Sequence, residues 1–207
     1  AITTGSGRIP PCAWSLLNPR DAHPEVDLTC YGAELEPITV LHAYSMGLFP
    51  MHVPSDTGEQ ELGWWSPDPR GILRLENIRI SRSLRKSMRT FSVTFDQAFE
   101  RVMRGCWRVN GEGNWITEEF IDTYTHLHEL GFTHSVEVWN RKGELVGGLY
   151  GIEIGGLFAG ESMFHVETDA SKVAMVAVVE KLAASPGQRI FDVQWQTDHL
   201  ESMGVTE

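Results

Sequence analysis

Leu145-Val146-Gly147-Gly148-Leu149-Tyr150-Gly151-Ile152-Glu153-Ile154, then Gly155-Gly156, then Leu157-Phe158-Ala159-Gly160-Glu161-Ser162-Met163-Phe164, decides the fold. Two apolar runs joined by a glycine pair form a β-hairpin. Glycines inside such runs mark places where another backbone comes close. Downstream, Ala170 to Ala184 is a strongly apolar helix and Arg189 to Trp195 a strand. His199 to Met203 forms a last helical turn. Upstream, Ser135 to Asn140 alternates as a strand does, with Arg141 to Glu144 as its turn. The order strand, strand, strand, helix, strand predicts an α+β or three-layer domain around a mostly antiparallel sheet.

Further toward the start, Thr117 caps a helix whose apolar face is Phe120, Tyr124 and Leu127, and Gly131 ends it. Asp96 is expected to cap a helix running to about Met103, after a short strand from Phe91 to Phe95. Ser81 precedes a helix to Arg89, and Gly71 to Leu75 is a strand. Trp64-Trp65-Ser66-Pro67-Asp68-Pro69-Arg70 is a rigid turn, because two prolines fix two φ angles. Pro37 to Met46 is a helix with Pro37 in its first turn. The rest of the segment up to about Glu61 is expected to be irregular, with Val53 to Gly63 an exposed loop.

The 207 residues carry 28 acids against 17 bases, a formal charge of −11. That balance excludes a simple duplex-coating protein, since phosphate contacts need Lys and Arg. It suits a cationic partner. Cys12, Cys30 and Cys106 are scattered and odd in number, which argues against a disulfide scaffold or a structural zinc site. No apolar run approaches the ~20 residues of a membrane span, and the start does not resemble a signal peptide. A reducing, cytoplasmic setting is expected.

Against the acidic background, Arg79, Arg82, Arg85, Lys86 and Arg89 fall within eleven residues that hold no acid. Such segregation asks for an anionic partner, or else is a solvated helix face balanced by acids elsewhere. Arg108-x-x-Gly111-x-Gly113 matches a phosphate-holding loop of acetyltransferases, but a helix precedes it and Glu112 sits where phosphate belongs. An ordinary turn fits better. His126, His128 and Glu129 lack metal-ligand spacing, because an i,i+2 pair points to opposite sides of a helix. Asp192 and Gln194, two apart on a strand, share a face, either in a cleft or as a buried structural pair. Glu161 is a lone carboxylate inside an apolar strand. No Ser-His-Asp or Cys-His arrangement is present, so a covalent mechanism is not supported.

An ordered set of short motifs carries more. Gly47-Leu48-Phe49-Pro50, the Trp64 to Arg70 turn, Ile80-Ser81-Arg82-Ser83 and Trp115-Ile116-Thr117 come first. Leu127 to Gly131, His134 to Trp139, Leu145 to Gly151, Gly160 to Phe164, Ala170-Ser171-Lys172 and Asp192-x-Gln194 follow. In this order they resemble the bacterial leucyl/phenylalanyl-tRNA–protein transferases over about Leu35 to Gly204. The resemblance implies a small N-terminal domain, here 1–63, and a GNAT-type catalytic domain, here 64–207. It implies aminolysis of an aminoacyl-tRNA ester carrying Leu or Phe, with Met as a further candidate. The acceptor is the α-amine of a protein beginning with Lys or Arg, which marks the product for N-degron degradation.

An ester already carries the driving force, so no metal, ATP, coenzyme A or other cofactor is required, and positioning supplies much of the acceleration. The resemblance makes Asp192 a proton acceptor and Gln194 its hydrogen-bonding link, with Glu161 orienting a substrate amine. Whether Asp192 takes the proton or only positions the amine stays open. By position, Leu149, Met163, Val178 and Phe191 line the side-chain pocket, and Trp115 stacks on the terminal adenosine. Met51 replaces an aromatic of the family pattern and Thr197 an asparagine. Arg79, Arg82, Arg85, Lys86 and Arg89 fall where the family binds the tRNA body. A monomer without membrane association is expected. The rival readings are a GNAT-type acetyltransferase, which predicts coenzyme A binding, and a non-catalytic tRNA-binding adaptor.

Overall fold

A computed structural model describes residues 12–14, 18–21, 26–54, 60–107 and 115–207. Its centre is a six-stranded sheet. In spatial order this runs β4 (Gly71–Leu73), β9 (Ile190–Gln194), β8 (Leu157–His165), β7 (Leu145–Ile154), β6 (Thr133–Trp139) and β5 (Ser92–Phe95). Every neighbouring pair is antiparallel except β8 and β9, which are parallel. The expected α+β architecture and the glycine-centred hairpin of β7 and β8 are both present.

Helices cover both faces. On one side lie α3 (Phe99–Cys106), α4 (Glu118–Glu129) and α1 (Pro37–Ser45), packed around Tyr150 and Ile152. On the other lie α5 (Ala170–Ala183) and α2 (Arg82–Met88), packed around Val136, Val138, Leu149 and Phe191. Glycine lets α5 approach: a Cβ at Gly147 would lie 2.5 Å from the Cβ of Ala170. Side chains cap α2 and α4 as expected, Ser81 accepting from the Leu84 N–H and Thr117 from that of Phe120.

A second, three-stranded sheet consists of β1 (Leu28–Tyr31), β3 (Gln60–Trp65) and β2 (Phe49–Pro54). Its Trp64 shares one core with Phe99, Phe120 and Tyr124, so this part packs on the large sheet's helices. The sheet corrects two expectations. The early segment is not wholly irregular, and β2 and β3 pair at both ends of the stretch expected to loop, whose middle, 55–59, lies outside the described residues. Strands gain their stability from partners, which a polar stretch does not announce. β3 runs on to Trp65. Asp96 is not a helix cap either. It sits at φ 58, where its carboxylate accepts from Ser135 N–H and pairs with His134, and α3 starts at Phe99 behind Ala98. No helix among the described residues is long and apolar enough to cross a membrane.

Candidate active site

Pairing between the parallel strands β8 and β9 stops at Ala159 opposite Asp192. Beyond that point each strand carries one residue too many. On β8, Tyr150 pairs with Ser162 and Gly151 with Gly160, leaving Glu161 without a partner. On β9, Ile72 pairs with Asp192 and Gly71 with Gln194, leaving Val193 without one. Such bulges re-aim side chains. Here they turn Glu161 and Val193 onto the opening between the strands.

Two cavities meet at that opening. The first, about 110 Å³, is lined by Leu149, Gly160, Glu161, Ser162, Met163, Met175, Phe191, Val193, Gln194 and Leu200. Its floor depends on Gly160, where a Cβ would stand 2.7 Å from the Phe191 ring. The second, about 220 Å³, is lined by Phe49, Pro50, Met51, Trp115, Glu161, Val193, Gln194, Trp195, Thr197 and Leu200. Glu161, Val193, Gln194 and Leu200 therefore form a wall common to both.

Behind this wall sits Asp192, buried and gripped by Arg70. Arg70 Nε donates to Oδ1 at 2.9 Å and to Oδ2 at 3.1 Å, and Nη2 to Oδ2 at 2.6 Å. Nη1 donates to the Gly47 carbonyl at 3.1 Å, and the guanidinium lies over the Phe49 ring. The proline-stiffened turn before β4 delivers Arg70 to this place. Gln194 adopts φ 60, a left-handed conformation uncommon outside glycine. Strain of this kind collects at functional sites. It lets the Gln194 N–H donate to Asp192 Oδ1 at 2.9 Å while Nε2 reaches Glu161 Oε1 at 3.3 Å.

Glu161 is the electrostatic outlier. Burial raises its pKa to about 8, and nearby Asp192 pushes the same way. The Tyr44 hydroxyl and Arg70 oppose the rise without cancelling it. Tyr44 and Tyr124 share a hydroxyl–hydroxyl bond of 3.0 Å, and burial holds both phenols well above their ordinary pKa.

Of the residues singled out by sequence, Asp192, Gln194 and Glu161 come together, and Leu149, Met163 and Phe191 line the smaller cavity beside them. Trp115 lines the larger one. Val178 belongs to neither. It lines a minor void with Phe95, Phe158 and Leu182, and Met175, one helical turn earlier on α5, takes the place expected for it. The shared face expected of Asp192 and Gln194 also fails, since Gln194 lines both cavities and Asp192 neither. The left-handed turn at Gln194 breaks the period of two. Arg70 and Tyr44 join the site without having been expected there. The one sequence signal for Arg70 is its place directly between a double-proline turn and a strand.

Arg79, Arg82, Arg85, Lys86 and Arg89 are all exposed, and none pairs with a carboxylate among the described residues. Beside them a groove of about 410 Å³ is lined by Arg79, Ile80, Ser81, Leu84, Lys172, Ser202 and Met203. The short helix α6 (Asp198–Ser202) separates it from the cavities. Arg108, Gly111 and Gly113 lie outside the described residues. His128 bonds the Thr133 carbonyl and stacks on Phe99. Among the described residues no cluster of His, Cys, Asp and Glu is arranged to hold a metal.

Two family models match in tandem. "Leucyl/phenylalanyl-tRNA protein transferase N-terminal domain" covers residues 33–68, and "Leucyl/phenylalanyl-tRNA protein transferase" covers residues 72–207. A leucyl/phenylalanyl-tRNA–protein transferase of Pseudoalteromonas atlantica is 44% identical over 200 residues, spanning 93% of this chain and 83% of the relative. One from Stutzerimonas stutzeri is 49% identical over 182 residues, spanning 86% and 78%. Among solved structures, a GCN5-related N-acetyltransferase-like protein from Streptococcus suis matches at a TM-score of 0.38 and 12% identity, covering 66% of this chain and 56% of that one.

Proposed function

This chain belongs to the leucyl/phenylalanyl-tRNA–protein transferase family, and on that footing we propose that it moves leucine or phenylalanine from aminoacyl-tRNA to the α-amine of proteins beginning with Lys or Arg. It is an aminoacyltransferase by membership. The observation that carries the reading is the common wall. A smaller apolar cavity and a larger, tryptophan-lined one meet at a single carboxyl group.

The smaller cavity takes the aminoacyl side chain. An apolar cavity of ~150 Å³ holds a benzene ring, so about 110 Å³ suits a leucyl side chain and admits phenylalanine or methionine once Met163 or Met175 yields. The larger cavity takes the terminal adenosine, with Trp115 and Trp195 as stacking surfaces. The ester carbonyl then lies at the junction, beside Glu161 and Gln194. The groove by Arg79 and Lys172 and the exposed α2 take phosphates of the tRNA body. Outside this basic region the surface is strongly acidic and attracts a cationic chain terminus. The reaction runs in the cytoplasm on a monomer without metal or cofactor, and its product enters the N-degron pathway. The small sheet with α1 is the N-terminal part of the enzyme.

The test is transfer of labelled amino acid from Leu-, Phe- and Met-tRNA to peptides beginning with Arg, Lys, Asp or Glu. Leucine should move onto the Arg and Lys peptides. Absence of transfer from every charged tRNA would end the reading, and binding of acetyl-CoA in calorimetry would replace it with acetyl transfer.

A further inference from the structure

Resting on the transfer reaction proposed above, we infer that Glu161 takes the proton from the attacking amine, and that Asp192 is a positioning residue that does not touch substrate. A proton acceptor needs a free lone pair within hydrogen-bond reach of the reacting nitrogen. Asp192 offers none. Its Oδ1 accepts from Arg70 Nε and from the Gln194 N–H, its Oδ2 from Arg70 Nη2 and, at 3.1 Å, from Nε, which occupies all four of its acceptor sites, and its side chain is 7% exposed. It lines neither cavity.

Glu161 has the opposite setting. The bulge on β8 presents it to both cavities, and it accepts only from Gln194 Nε2, which reaches Oε1 at a long 3.3 Å, and from the buried Tyr44 hydroxyl. The titratable and charged groups around it are Tyr44 from α1, Tyr124 from α4, Tyr150 from β7, Arg70 ahead of β4 and Asp192 from β9. The three phenols are all held protonated by burial. Arg70 is a cation committed to Asp192, and among the residues lining the two cavities Glu161 is the one carboxylate, with no imidazole beside it. Burial raises its pKa to about 8, so it holds a transferred proton more firmly than an exposed carboxylate would.

In the step so assigned, the amine nitrogen attacks the ester carbonyl. A C–N bond forms and the carbonyl π pair moves to oxygen. The Glu161 carboxylate takes one proton from the resulting ammonium. As the adduct collapses, the C–O bond to ribose breaks and the Glu161 carboxylic acid gives that proton to the leaving ribose oxygen. The products are an amide and a free ribose hydroxyl, and the carboxylate returns. Arg70 and Asp192 act through Gln194: they fix its left-handed backbone, and its amide then holds Glu161 in place.

Single-turnover transfer of labelled leucine from Leu-tRNA to an Arg-starting peptide, with the full chain, tests this. Glu161→Gln, a near isostere, should slow the reaction by about 10²–10⁴-fold. Because the substrate amine titrates in the same range, the deciding readout is chemical rescue. Glu161→Ala should recover with added small carboxylates, at rates that rise with their basicity. Asp192→Ala should be slow and should not respond. A folded Glu161→Ala that ignores carboxylates, or responds equally to all of them, would overturn the assignment. So would basicity-dependent rescue of Asp192→Ala. If the wild-type chain transfers nothing from any charged tRNA, the reaction itself is wrong and the assignment falls with it.

Discussion

Two buried carboxylate networks lie on opposite flanks of the same sheet, and they are built to different ends. On the β5–β6 side, Glu137 is fully buried and satisfied. Thr94 donates to Oε2 at 2.6 Å, while the Ser135 hydroxyl and the Ala98 N–H, at 3.3 Å, donate to Oε1. Beside it, burial pushes Asp96 up, but His134 and the Ser135 N–H outweigh that and hold it below its ordinary pKa. On the β8–β9 side, Asp192 is equally saturated, yet Glu161, one strand away, takes only the Tyr44 hydroxyl and a long bond from Gln194 and faces two cavities. Buried polar networks with every partner present rigidify a core, and a partly satisfied one is costly. The incomplete side is where a substrate can supply the missing partner.

Removing Arg70 should have the largest effect on the molecule. Arg70→Met leaves Asp192 a buried charge held only by one N–H. Breaking a buried pair costs ~3–5 kcal/mol, and because Arg70 is 22% exposed the low end, about 3, is expected. Urea unfolding measures it. Arg70→Lys should restore only part, since an ammonium lacks the two-pronged geometry. A neutral result would mean that Asp192 does not depend on its partner and that the two networks differ less in kind than their geometry implies.

The next effect separates the two networks by pH. The folded pKa of Glu161, about 8, lies above its unfolded value of ~4.3. Its contribution to stability is therefore fully present below pH ~4.3 and is lost as pH rises through about 8. Glu161→Gln titrates nowhere in that range, so it should be more stable than wild type near pH ~8 and lose that advantage near pH ~4.5. Asp96 runs the other way: its folded pKa is depressed, so its contribution is present above its unfolded value and is lost as pH falls through the folded one. Urea midpoints of Glu161→Gln that track wild type at every pH would show that the carboxyl is better solvated than its burial indicates.

Glu137→Gln probes the satisfied network. An amide keeps one acceptor oxygen where the carboxylate had two, so either Thr94 or the Ser135–Ala98 pair loses its acceptor. A cost of roughly 1–3 kcal/mol in unfolding follows. The single-turnover rate of the folded variant should hold, because this carboxylate faces no substrate cavity. On the other flank, Leu149→Phe should leave folding near normal but shrink the smaller cavity. Transfer of phenylalanine should then fall relative to leucine, by an amount on the order of 1–3 kcal/mol. Competition between Leu- and Phe-tRNA reads it directly.

The same contrast explains what was legible in the sequence. The hairpin, α5 and the capped helices α2 and α4 announce themselves through local period and capping chemistry. β1, β2 and β3 do not, because polar and proline-bearing stretches become strands only through their neighbours. At the site, the identities of Glu161, Asp192 and Gln194 carried the resemblance, but their division of labour was hidden. That division depends on two bulges, a left-handed glutamine and an arginine 122 positions away, and no period records any of them. Val178 shows the complementary limit. A helix places neighbours one turn apart on the same stripe, so period alone could not choose between Val178 and Met175.

Charges outside any network mark the far end of the scale. Arg82 and Lys86 on α2 are exposed and unpaired with carboxylates among the described residues, so replacing both by Gln should change folding stability by no more than ~0.5 kcal/mol. On the proposed function, their effect falls on tRNA binding instead. For every phosphate that goes without its cation, the slope of log affinity against log salt should become shallower by about 0.7–0.9. Leu-tRNA and Phe-tRNA should weaken equally, since phosphate recognition does not see the amino acid. At saturating tRNA the single-turnover rate should match wild type, because the ester sits across α6 from this surface. An unchanged salt slope in the double variant would move the tRNA to another face, and would leave the groove by Arg79 and Lys172 without its reason for lying beside the cavities.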